Sequence, residues 1–265
     1  MFELRGVAVG YGGVPVLQNV SFTARAGQIT ALVGANGCGK TTLLKAVARQ
    51  LPTLRGTICL HGRDLAAYNR KEFARAAAFM PQVRNIPEIT VQGLVSHGRF
   101  PYLGLSRQMT ARDRAAVQQA MDQTGVACWA GRDLRELSGG ERQRVYLAMA
   151  LAQGGDAILL DEPTTYLDVA AQFELLELLR RLAGQGKAVV LVLHDLAQAL
   201  QYSDRVAVLA GGGLAAFDTP ERLFAQKLLD DIFGVTLCRA AEGTYYLRKQ
   251  APTKTASCNY SGDIV

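Results

Sequence analysis

The stretch from residue 29 to residue 47, ITALVGANGCGKTTLLKAV, decides the fold. An apolar run of strand length leads into a segment from Gly34 to Thr41 that fits G-x-x-x-x-G-K-[ST], and apolar residues at helical spacing follow. In such a loop the glycines let backbone N–H groups surround phosphate oxygens, Lys40 adds a positive charge, and the Thr41 hydroxyl can ligate Mg²⁺. The alternative is a glycine-rich turn followed by a chance Lys-Thr pair. We expect the loop to bind the β- and γ-phosphates of a nucleotide.

The predicted nucleotide-binding residues of this loop form one continuous segment that runs into the following helix. They are Gly34, Ala35, Asn36, Gly37, Cys38, Gly39, Lys40, Thr41 and Thr42. Cys38 stands at a variable position of the pattern, so we assign its thiol no redox role.

A second acidic element follows another apolar run, in the sequence AILLDEP from residue 157 to residue 163. A carboxylate at the end of a buried strand can hold Mg²⁺, and we assign this role to Asp161. Side chains alternate along an extended chain, so we expect Glu162 to point away from Asp161 and to polarise the attacking water. The alternative is an acidic cap on the helix that follows.

Short apolar runs alternate with helical patterns along most of the chain, which predicts an α/β fold with a mainly parallel sheet. The expected strands are Ile29 to Val33, Ala77 to Met80, Ala157 to Leu160, Ala188 to Leu193 and Val206 to Ala210. The first sixty residues instead alternate between apolar and polar positions, with glycine-rich turns, which predicts an antiparallel β subdomain.

We expect a single domain over residues 1–250, with a helical subdomain inserted into its core. The core covers residues 1–83 and 153–250, and the helical insertion covers about 84–152 because this stretch lacks a clear strand. Within the insertion, Ala111 to Thr124 and Ser138 to Gln153 have the strongest helical patterns. Residues 251–265 are predicted to be a flexible tail.

The composition of the 265 residues excludes several classes of protein. The longest strongly apolar run, Ala188 to Leu193, is far shorter than the roughly 20 residues of a membrane-spanning helix. No basic and apolar leader opens the sequence, so we expect the chain to stay in the cytosol. Five cysteines without a C-x-x-C pair indicate neither a zinc site nor a disulfide framework.

The formal net charge of +6 raises the question of a nucleic-acid partner. Most of the surplus lies between Arg63 and Arg114, where nine basic residues stand against four acidic ones. No aromatic ladder accompanies this segment, so we expect no nucleic acid to bind. A solvated face turned toward a membrane protein or anionic lipid is the favoured interpretation.

The sequence LSGGE at residues 137–141 begins another helical pattern. Ser138 and Glu141 fit the capping box S-x-x-E, but capping does not require two glycines between them. Two glycines suit a helix N-terminus whose backbone amides touch a phosphate. With the phosphate loop upstream and the paired acids downstream, the chain resembles the ATP-binding subunit of ABC transporters from its beginning to about residue 240.

The resemblance implies that two copies pair head to tail, with each ATP between the phosphate loop of one copy and LSGGE of the other. Ser138, Gly139 and Gly140 would contact the γ-phosphate held by the partner. The remaining family positions fall on Tyr11, Gln82, Asp168 and His194. Tyr11 would stack on adenine and Gln82 would sense Mg²⁺. Asp168 lies in the loop after the paired acids, and His194 would donate to the γ-phosphate. Taken singly, Tyr11 could be a core aromatic, Gln82 a turn residue and His194 a histidine at the end of a strand.

Four stretches resemble the ATPases of ferric-siderophore importers more closely, with haem and cobalamin importers as near alternatives. They are VQGLVSHGRFPY, ERQRVYLAMALAQ, DEPTTYLDVAAQFELLELL and VLHDLAQALQYSD. The resemblance implies a homodimer of ATPases at the cytoplasmic face of the inner membrane, with two permease subunits and an extracytoplasmic binding protein.

Two other functional classes remain as alternatives. One is a soluble ABC ATPase that acts on ribosomes or DNA, but such proteins generally carry two cassettes or a long coiled-coil insertion. The other is a P-loop kinase for a small molecule, in which LSGGE and His194 would lack a purpose.

Overall fold

The computed structural model describes residues 1–82, 86–104 and 108–249, which form twelve strands and nine α-helices. The strands are β1 (Phe2–Tyr11), β2 (Val14–Ala24), β3 (Ile29–Gly34), β4 (Arg55–Leu60), β5 (Arg63–Asp64), β6 (Ala77–Met80), β7 (Ala157–Leu160), β8 (Ala188–Val192), β9 (Arg205–Ala210), β10 (Gly213–Asp218), β11 (Val235–Arg239) and β12 (Tyr245–Lys249). The helices are α1 (Lys40–Val47), α2 (Arg70–Ala76), α3 (Val91–His97), α4 (Ala111–Thr124), α5 (Gly139–Ala152), α6 (Val169–Gly184), α7 (Leu196–Tyr202), α8 (Pro220–Gln226) and α9 (Leu228–Phe233).

The largest sheet has the order β10-β9-β3-β8-β7-β6. Its strands pair in parallel except for β10, which returns antiparallel to β9. Strands β3, β7 and β8 are buried at every residue, as expected for strands that are covered on both faces. The predicted α/β fold and mainly parallel sheet are confirmed, and β8 ends one residue earlier than predicted.

The N-terminal part forms a separate antiparallel sheet with the order β2-β1-β4-β5, as the alternating pattern predicted. One hydrophobic cluster joins this sheet to α1 and to one face of the parallel sheet. A second cluster covers the opposite face of the parallel sheet and includes apolar residues of α3 to α9. The phosphate-loop helix therefore lies between the two sheets.

Helices α3, α4 and α5 follow β6 and pack against one another. Helix α4 has the bounds predicted from the sequence, and α5 begins one residue later and ends one residue earlier than predicted. Residues 86–104 and 108–152 contain no strand. The proposed boundary of the helical insertion at residue 84 and the proposed tail, 251–265, lie outside the described residues.

A C-terminal hairpin that the sequence patterns did not indicate follows α9. Strands β11 and β12 pair antiparallel, and β12 packs against α7. Leu237 and Tyr245 belong to the main hydrophobic cluster, so the hairpin is part of the folded domain.

None of the helices formed by residues 1–82, 86–104 and 108–249 has the length and apolar character needed to span a bilayer.

A buried ion pair connects the segment after α3 to α4 and α5. The Arg99 guanidinium contacts the Asp113 carboxylate at 2.9 Å and also donates to the Ala152 carbonyl at the end of α5. Both charged side chains are buried. Hydrogen bonds from the Thr110 hydroxyl and backbone N–H, helped by Arg99, lower the pKa of Asp113 to about 2.

We expect Asp113→Ala to lower the free energy of unfolding by about 3 kcal/mol at pH 7, because it leaves a buried guanidinium without its partner. Chemical denaturation measures this change. The depressed pKa means that Asp113 stabilises the fold above the ordinary carboxyl pKa, and that this contribution is lost as the pH falls toward 2. The difference between wild type and variant should therefore shrink over that acidic range. Asp122→Ala, at an exposed site of the same helix, should change stability by less than about 0.5 kcal/mol.

Candidate functional site

The phosphate loop connects the end of β3 at Gly34 to the start of α1 at Lys40. A Cβ atom on Gly34 would lie 2.4 Å from the Leu209 carbonyl oxygen, so the strand cannot approach β9 this closely with a larger residue. Gly39 precedes the helix with a φ of 104°, in the left-handed region that L side chains rarely adopt. Both glycines are required by the path of the backbone.

The Lys40 side chain folds back over the loop. Its ammonium donates to the Gly34 carbonyl at 2.8 Å and to the Ala35 carbonyl at 3.0 Å, and the residue is buried. These contacts keep a full positive charge beside the backbone amides that begin α1. An anion such as a phosphate is favoured at this position by both the charge and the helix terminus.

Thr41 and Asp161 connect the phosphate loop to the end of β7. The Thr41 hydroxyl donates to Asp161 Oδ1 at 2.9 Å across the gap between the two elements. Burial raises the pKa of the Asp161 carboxyl, and the negative charge of Glu162 raises it further, while the Thr41 hydrogen bond opposes both. A hydroxyl and a carboxylate are hard oxygen donors of the kind that Mg²⁺ prefers, so the residues present fit this ion.

The Glu162 carboxylate lies between two polar side chains from other elements. His194 Nε2 lies 2.6 Å from its Oε1, and the Gln82 amide donates to its Oε2 at 3.2 Å. His194 follows β8 and Gln82 follows β6, so three strand ends bring these groups together. The Glu162 side chain is 18% exposed and that of His194 is 44% exposed, so this cluster is accessible to solvent.

The backbone at Glu162 differs from the expectation based on strand alternation. Strand β7 ends at Leu160, and Glu162 has a φ of 51°. The direction of its side chain is therefore set by a left-handed turn and not by alternation along a strand. Non-glycine residues adopt this conformation at a cost, which the contacts with His194 and Gln82 offset.

A cavity of about 180 Å³ combines the two groups of residues. Its lining consists of Asn36, Gly37, Gly39, Lys40, Thr41, Thr42, Glu162 and His194. Six of the nine predicted nucleotide-binding residues of the loop and two of the three predicted catalytic residues thus surround one space, while Gly34, Ala35 and Cys38 are not part of its lining.

The LSGGE segment lies in a different place. Ser138 caps α5, with a full capping box formed by Glu141, whose pKa is lowered by hydrogen bonds from Ser138. Ser138, Gly140 and Asp168 line a second cavity, of about 360 Å³, to which no residue of the phosphate loop contributes. In one copy of the chain, the two sequence motifs therefore face separate spaces.

The sequence model of the ABC transporter family matches residues 17–165. The chain belongs to the ABC transporter family. Like other ATP-binding subunits of this family it binds and hydrolyses ATP.

Curated relatives of this ABC ATPase match most of its length. The achromobactin transport ATP-binding protein of Dickeya dadantii is 41% identical over 244 residues, covering 91% of this chain and 90% of that protein. The hemin import ATP-binding protein of Streptomyces coelicolor is 46% identical over 229 residues, covering 86% and 81%.

Two solved structures have the same fold, and each aligns with this chain over most of its length. A metal-chelate type ABC transporter in an inward-facing conformation aligns with a TM-score of 0.79 at 26% identity, over 93% of this chain and 95% of that chain. A dimeric bacterial ABC transporter cassette aligns with a TM-score of 0.72 at 26% identity, over 83% and 99%.

Of the remaining predicted residues of this ABC ATPase, Gly139 lines a further cavity, beside Gln143 and Thr165, while Tyr11 and Asp168 stand at the ends of a strand and a helix. Tyr11 is 53% exposed at the end of β1, in the hairpin whose next strand brings Val16 and Leu17 against Gly39. Asp168 caps α6 by accepting a hydrogen bond from the Ala171 N–H at 2.8 Å. The adenine contact of Tyr11 and the nucleotide contact of Asp168 stay predictions.

Sequence reasoning did not identify two polar residues of the site. The Thr165 hydroxyl donates to Glu162 Oε2 at 3.4 Å. Gln143, on α5, donates to the Pro163 carbonyl at 2.7 Å and so connects the LSGGE helix to the loop after β7. Thr165 stands three residues after Glu162, which is a local signal. Gln143 has no such signal, because its partner is 20 residues away in sequence.

Because the backbone at Glu162 is left-handed, we expect glycine to destabilise the fold less than alanine at this position, which is the opposite of the order inside a helix. Glu162→Gly should be more stable than Glu162→Ala by about 1 kcal/mol, because glycine adopts this conformation without strain while both variants lose the same carboxylate. Chemical denaturation of the two purified variants measures the difference.

The matched control is Glu174, an exposed residue inside α6. There the order should reverse, with Glu174→Gly less stable than Glu174→Ala by about 1 kcal/mol. The same order at both positions would contradict the strained backbone at Glu162.

Proposed function

We propose that this chain is the ATPase subunit of an importer for ferric siderophores or related iron chelates, bound to the cytoplasmic face of the inner membrane. The observation that carries the catalytic part is the contact of Glu162 with His194 and Gln82, beside the Thr41–Asp161 pair. The names of the relatives support the import of an iron chelate.

The phosphate loop would hold the β- and γ-phosphates of ATP through its backbone amides and Lys40. Thr41 and Asp161, with the amide oxygen of Gln82, would hold Mg²⁺. This ion supplies charge neutralisation on the phosphate oxygens when it is bound. The hydrogen bond between Thr41 and Asp161 keeps their oxygens together before nucleotide arrives.

Glu162 would accept a hydrogen bond from the attacking water and polarise it. His194 would donate to the γ-phosphate, and its contact with Glu162 holds both side chains at the open edge of the cavity. Gln82 and Thr165 fix the other carboxylate oxygen of Glu162, so they position the group that meets the water. Hydrolysis is then mainly a matter of positioning and electrostatics.

Glu162→Gln should retain ATP binding and lose hydrolysis by roughly 100-fold or more, because the amide cannot act as a base. Nucleotide binding and phosphate release measure the two properties separately. Glu177→Gln, at an exposed position of α6, should leave both unchanged. Hydrolysis at wild-type rate by Glu162→Gln would remove Glu162 from this role.

Hydrolysis would need two copies of the chain, paired head to tail. The separation of the phosphate-loop cavity from the Ser138 cavity supports this arrangement, because one copy cannot bring both to the same ATP. Large apolar side chains are also exposed beside Asp168, with Tyr166 85%, Val169 66% and Phe173 43% exposed. A partner copy would cover them.

Two inactive variants should complement each other if the copies pair in this way. Lys40→Ala disables a phosphate loop and Gly140→Asp disables an LSGGE segment, so each homodimer has two defective sites. In a mixture, half of the dimers are mixed, and each mixed dimer has one intact site and one site with both defects. Equal amounts should therefore recover up to about a quarter of wild-type hydrolysis.

The control places both changes in one chain and mixes it with wild type. Each mixed dimer then has one defect in each site, so this mixture should contain only the activity of its wild-type homodimers. That activity is again about a quarter of wild-type hydrolysis. If each site lay within one copy, the first mixture should hydrolyse no ATP and the control mixture should keep about half of wild-type hydrolysis, and this outcome would contradict the head-to-tail arrangement.

The ATPase dimer would act with two permease subunits and an extracytoplasmic binding protein. The basic surplus between Arg63 and Arg114 supports a docking surface only in part. Arg99 is buried, Arg63 pairs with Glu72, and Arg75 donates to the Pro101 carbonyl. Exposed basic residues in this stretch include Arg70, Lys71 and Arg112, which could meet acidic permease loops.

Uptake into vesicles that contain the assembled transporter would identify the cargo. We expect ATP-dependent uptake of a ferric siderophore in preference to haem and cobalamin, with haem the second candidate because a hemin import protein is 46% identical. Vesicles with the Glu162→Gln subunit serve as the control. If the vesicles take up none of the three compounds, the proposed cargo is wrong, but the ATPase activity is not affected by this result. Failure to co-purify with a polytopic membrane protein would favour a soluble ABC ATPase instead.

A further inference from the structure

A polar cavity lies at the edge of the parallel sheet opposite the ATP site. Gln28 precedes β3 and Arg205 begins β9, so this edge is the one where these parallel strands start. The cavity has a volume of about 430 Å³, within the size range of small-ligand sites. The C-terminal hairpin closes one side of it with Arg239, Gly243 and Tyr245.

Three buried polar atoms in the lining have no hydrogen-bond partner among the described residues. They are Gln28 Oε1, Ser203 Oγ and the Tyr245 hydroxyl. Ser203 and Tyr245 are each only 6% exposed. Buried polar groups in folded proteins almost always have a partner, because an unsatisfied one costs free energy. The two hydroxyls around one cavity indicate a polar occupant to which they can donate, whereas Gln28 Oε1 can only accept.

The charged groups of the cavity favour an anion. Arg205 is paired with Asp218, but Arg180 and Arg239 have no carboxylate at ion-pair distance in the described part of the chain. Arg180 donates one hydrogen bond, to the Tyr202 carbonyl at 3.3 Å, and Arg239 donates one to the Gly243 carbonyl at 3.2 Å. Most of their N–H groups therefore remain available to an occupant.

Two carboxylates also line the cavity and oppose an anion. Asp204 Oδ2 accepts a hydrogen bond from the Ile29 N–H at 2.7 Å, so it serves the start of β3. Glu221 lies on α8. Burial raises the pKa of the Tyr245 hydroxyl, and the negative charge of Glu221 raises it further. Arg205 is already paired with Asp218, so the lining sets Arg180 and Arg239 against these two acids, of which Asp204 is engaged by the Ile29 N–H.

We propose that this cavity binds a small oxyanion with at least two negative charges, of the phosphate or polycarboxylate class. The planar guanidinium groups of Arg180 and Arg239 match the paired oxygens of such anions. The Ser203 and Tyr245 hydroxyls complete the site as donors. Because Arg180 belongs to α6 and Arg239 to β11, the bound anion fastens the C-terminal hairpin to the ATPase core.

The test uses Lys40→Ala protein, since the phosphate loop is itself an anion site. Thermal unfolding is followed in sodium phosphate and in sodium citrate, against sodium chloride at the same ionic strength. We expect one of the two anions to raise the midpoint by at least about 2 °C. The dissociation constants of phosphate and citrate from calorimetry then distinguish the two chemical classes.

Substitutions in the Lys40→Ala background locate the effect. Arg180→Gln and Arg239→Gln should each weaken binding by roughly tenfold or more, because a charge-assisted hydrogen bond is lost. Tyr245→Phe should weaken binding to a smaller extent. Arg181→Gln removes a charge from the same helix but not from the lining, so binding should stay unchanged.

Hydrogen exchange on wild-type protein is the second measurement and does not depend on any variant. The anion should slow exchange of the backbone amides of β11 and β12. The proposal is overturned if neither anion raises the midpoint or slows this exchange. It is also overturned if Arg180→Gln and Arg181→Gln weaken binding equally, because the anions would then act through general charge.

Discussion

The parallel pairing of β3, β8 and β7 is the constraint on which the ATP site depends. Leu32 pairs with Val192, and Leu160 pairs with Leu191, so the three strands end at one edge of the sheet. The phosphate loop, the paired acids and His194 each follow directly from one of these strands. Because the strands are buried on both faces, a shift in register would exchange the side chains of two closely packed faces and would separate the proposed catalytic groups at the same time. The stability of the core and the geometry of the site therefore have one origin.

The sequence predicts those parts of the molecule whose cause is local. Unbroken apolar runs gave the strands of the parallel sheet, and the loop from Gly34 to Thr41 carries its own signal in its glycines. The left-handed backbone of Glu162 is different, because a strained conformation is maintained by contacts with His194 and Gln82 from distant segments. The hairpin of β11 and β12 also escaped prediction, since its short strands are stabilised by packing against α7 and not by a strong pattern of their own.

The glycines of LSGGE illustrate how one residue type can satisfy two requirements. Their pattern suggested backbone amides that touch a phosphate. The structure adds a packing reason, because a Cβ on Gly140 would lie 2.9 Å from the Ala171 side chain and one on Gly139 would lie 3.3 Å from the Tyr166 carbonyl. The start of α5 therefore approaches the start of α6 as closely as glycine allows. Asp168 caps α6 at this contact, so the surface that would face a second copy is built from two helix starts held together.

A single copy of the chain already orders the carboxylate of Glu162, the proposed base, so the second copy is not needed to position it. His194, Gln82 and Thr165 all contact it within the same chain. What the single copy lacks is enclosure, since the His194 side chain is 44% exposed. Electrostatic stabilisation of a phosphoryl transfer is strongest where water is excluded. The contribution of a partner copy would thus be to close a site whose acid, histidine and lysine are already in place.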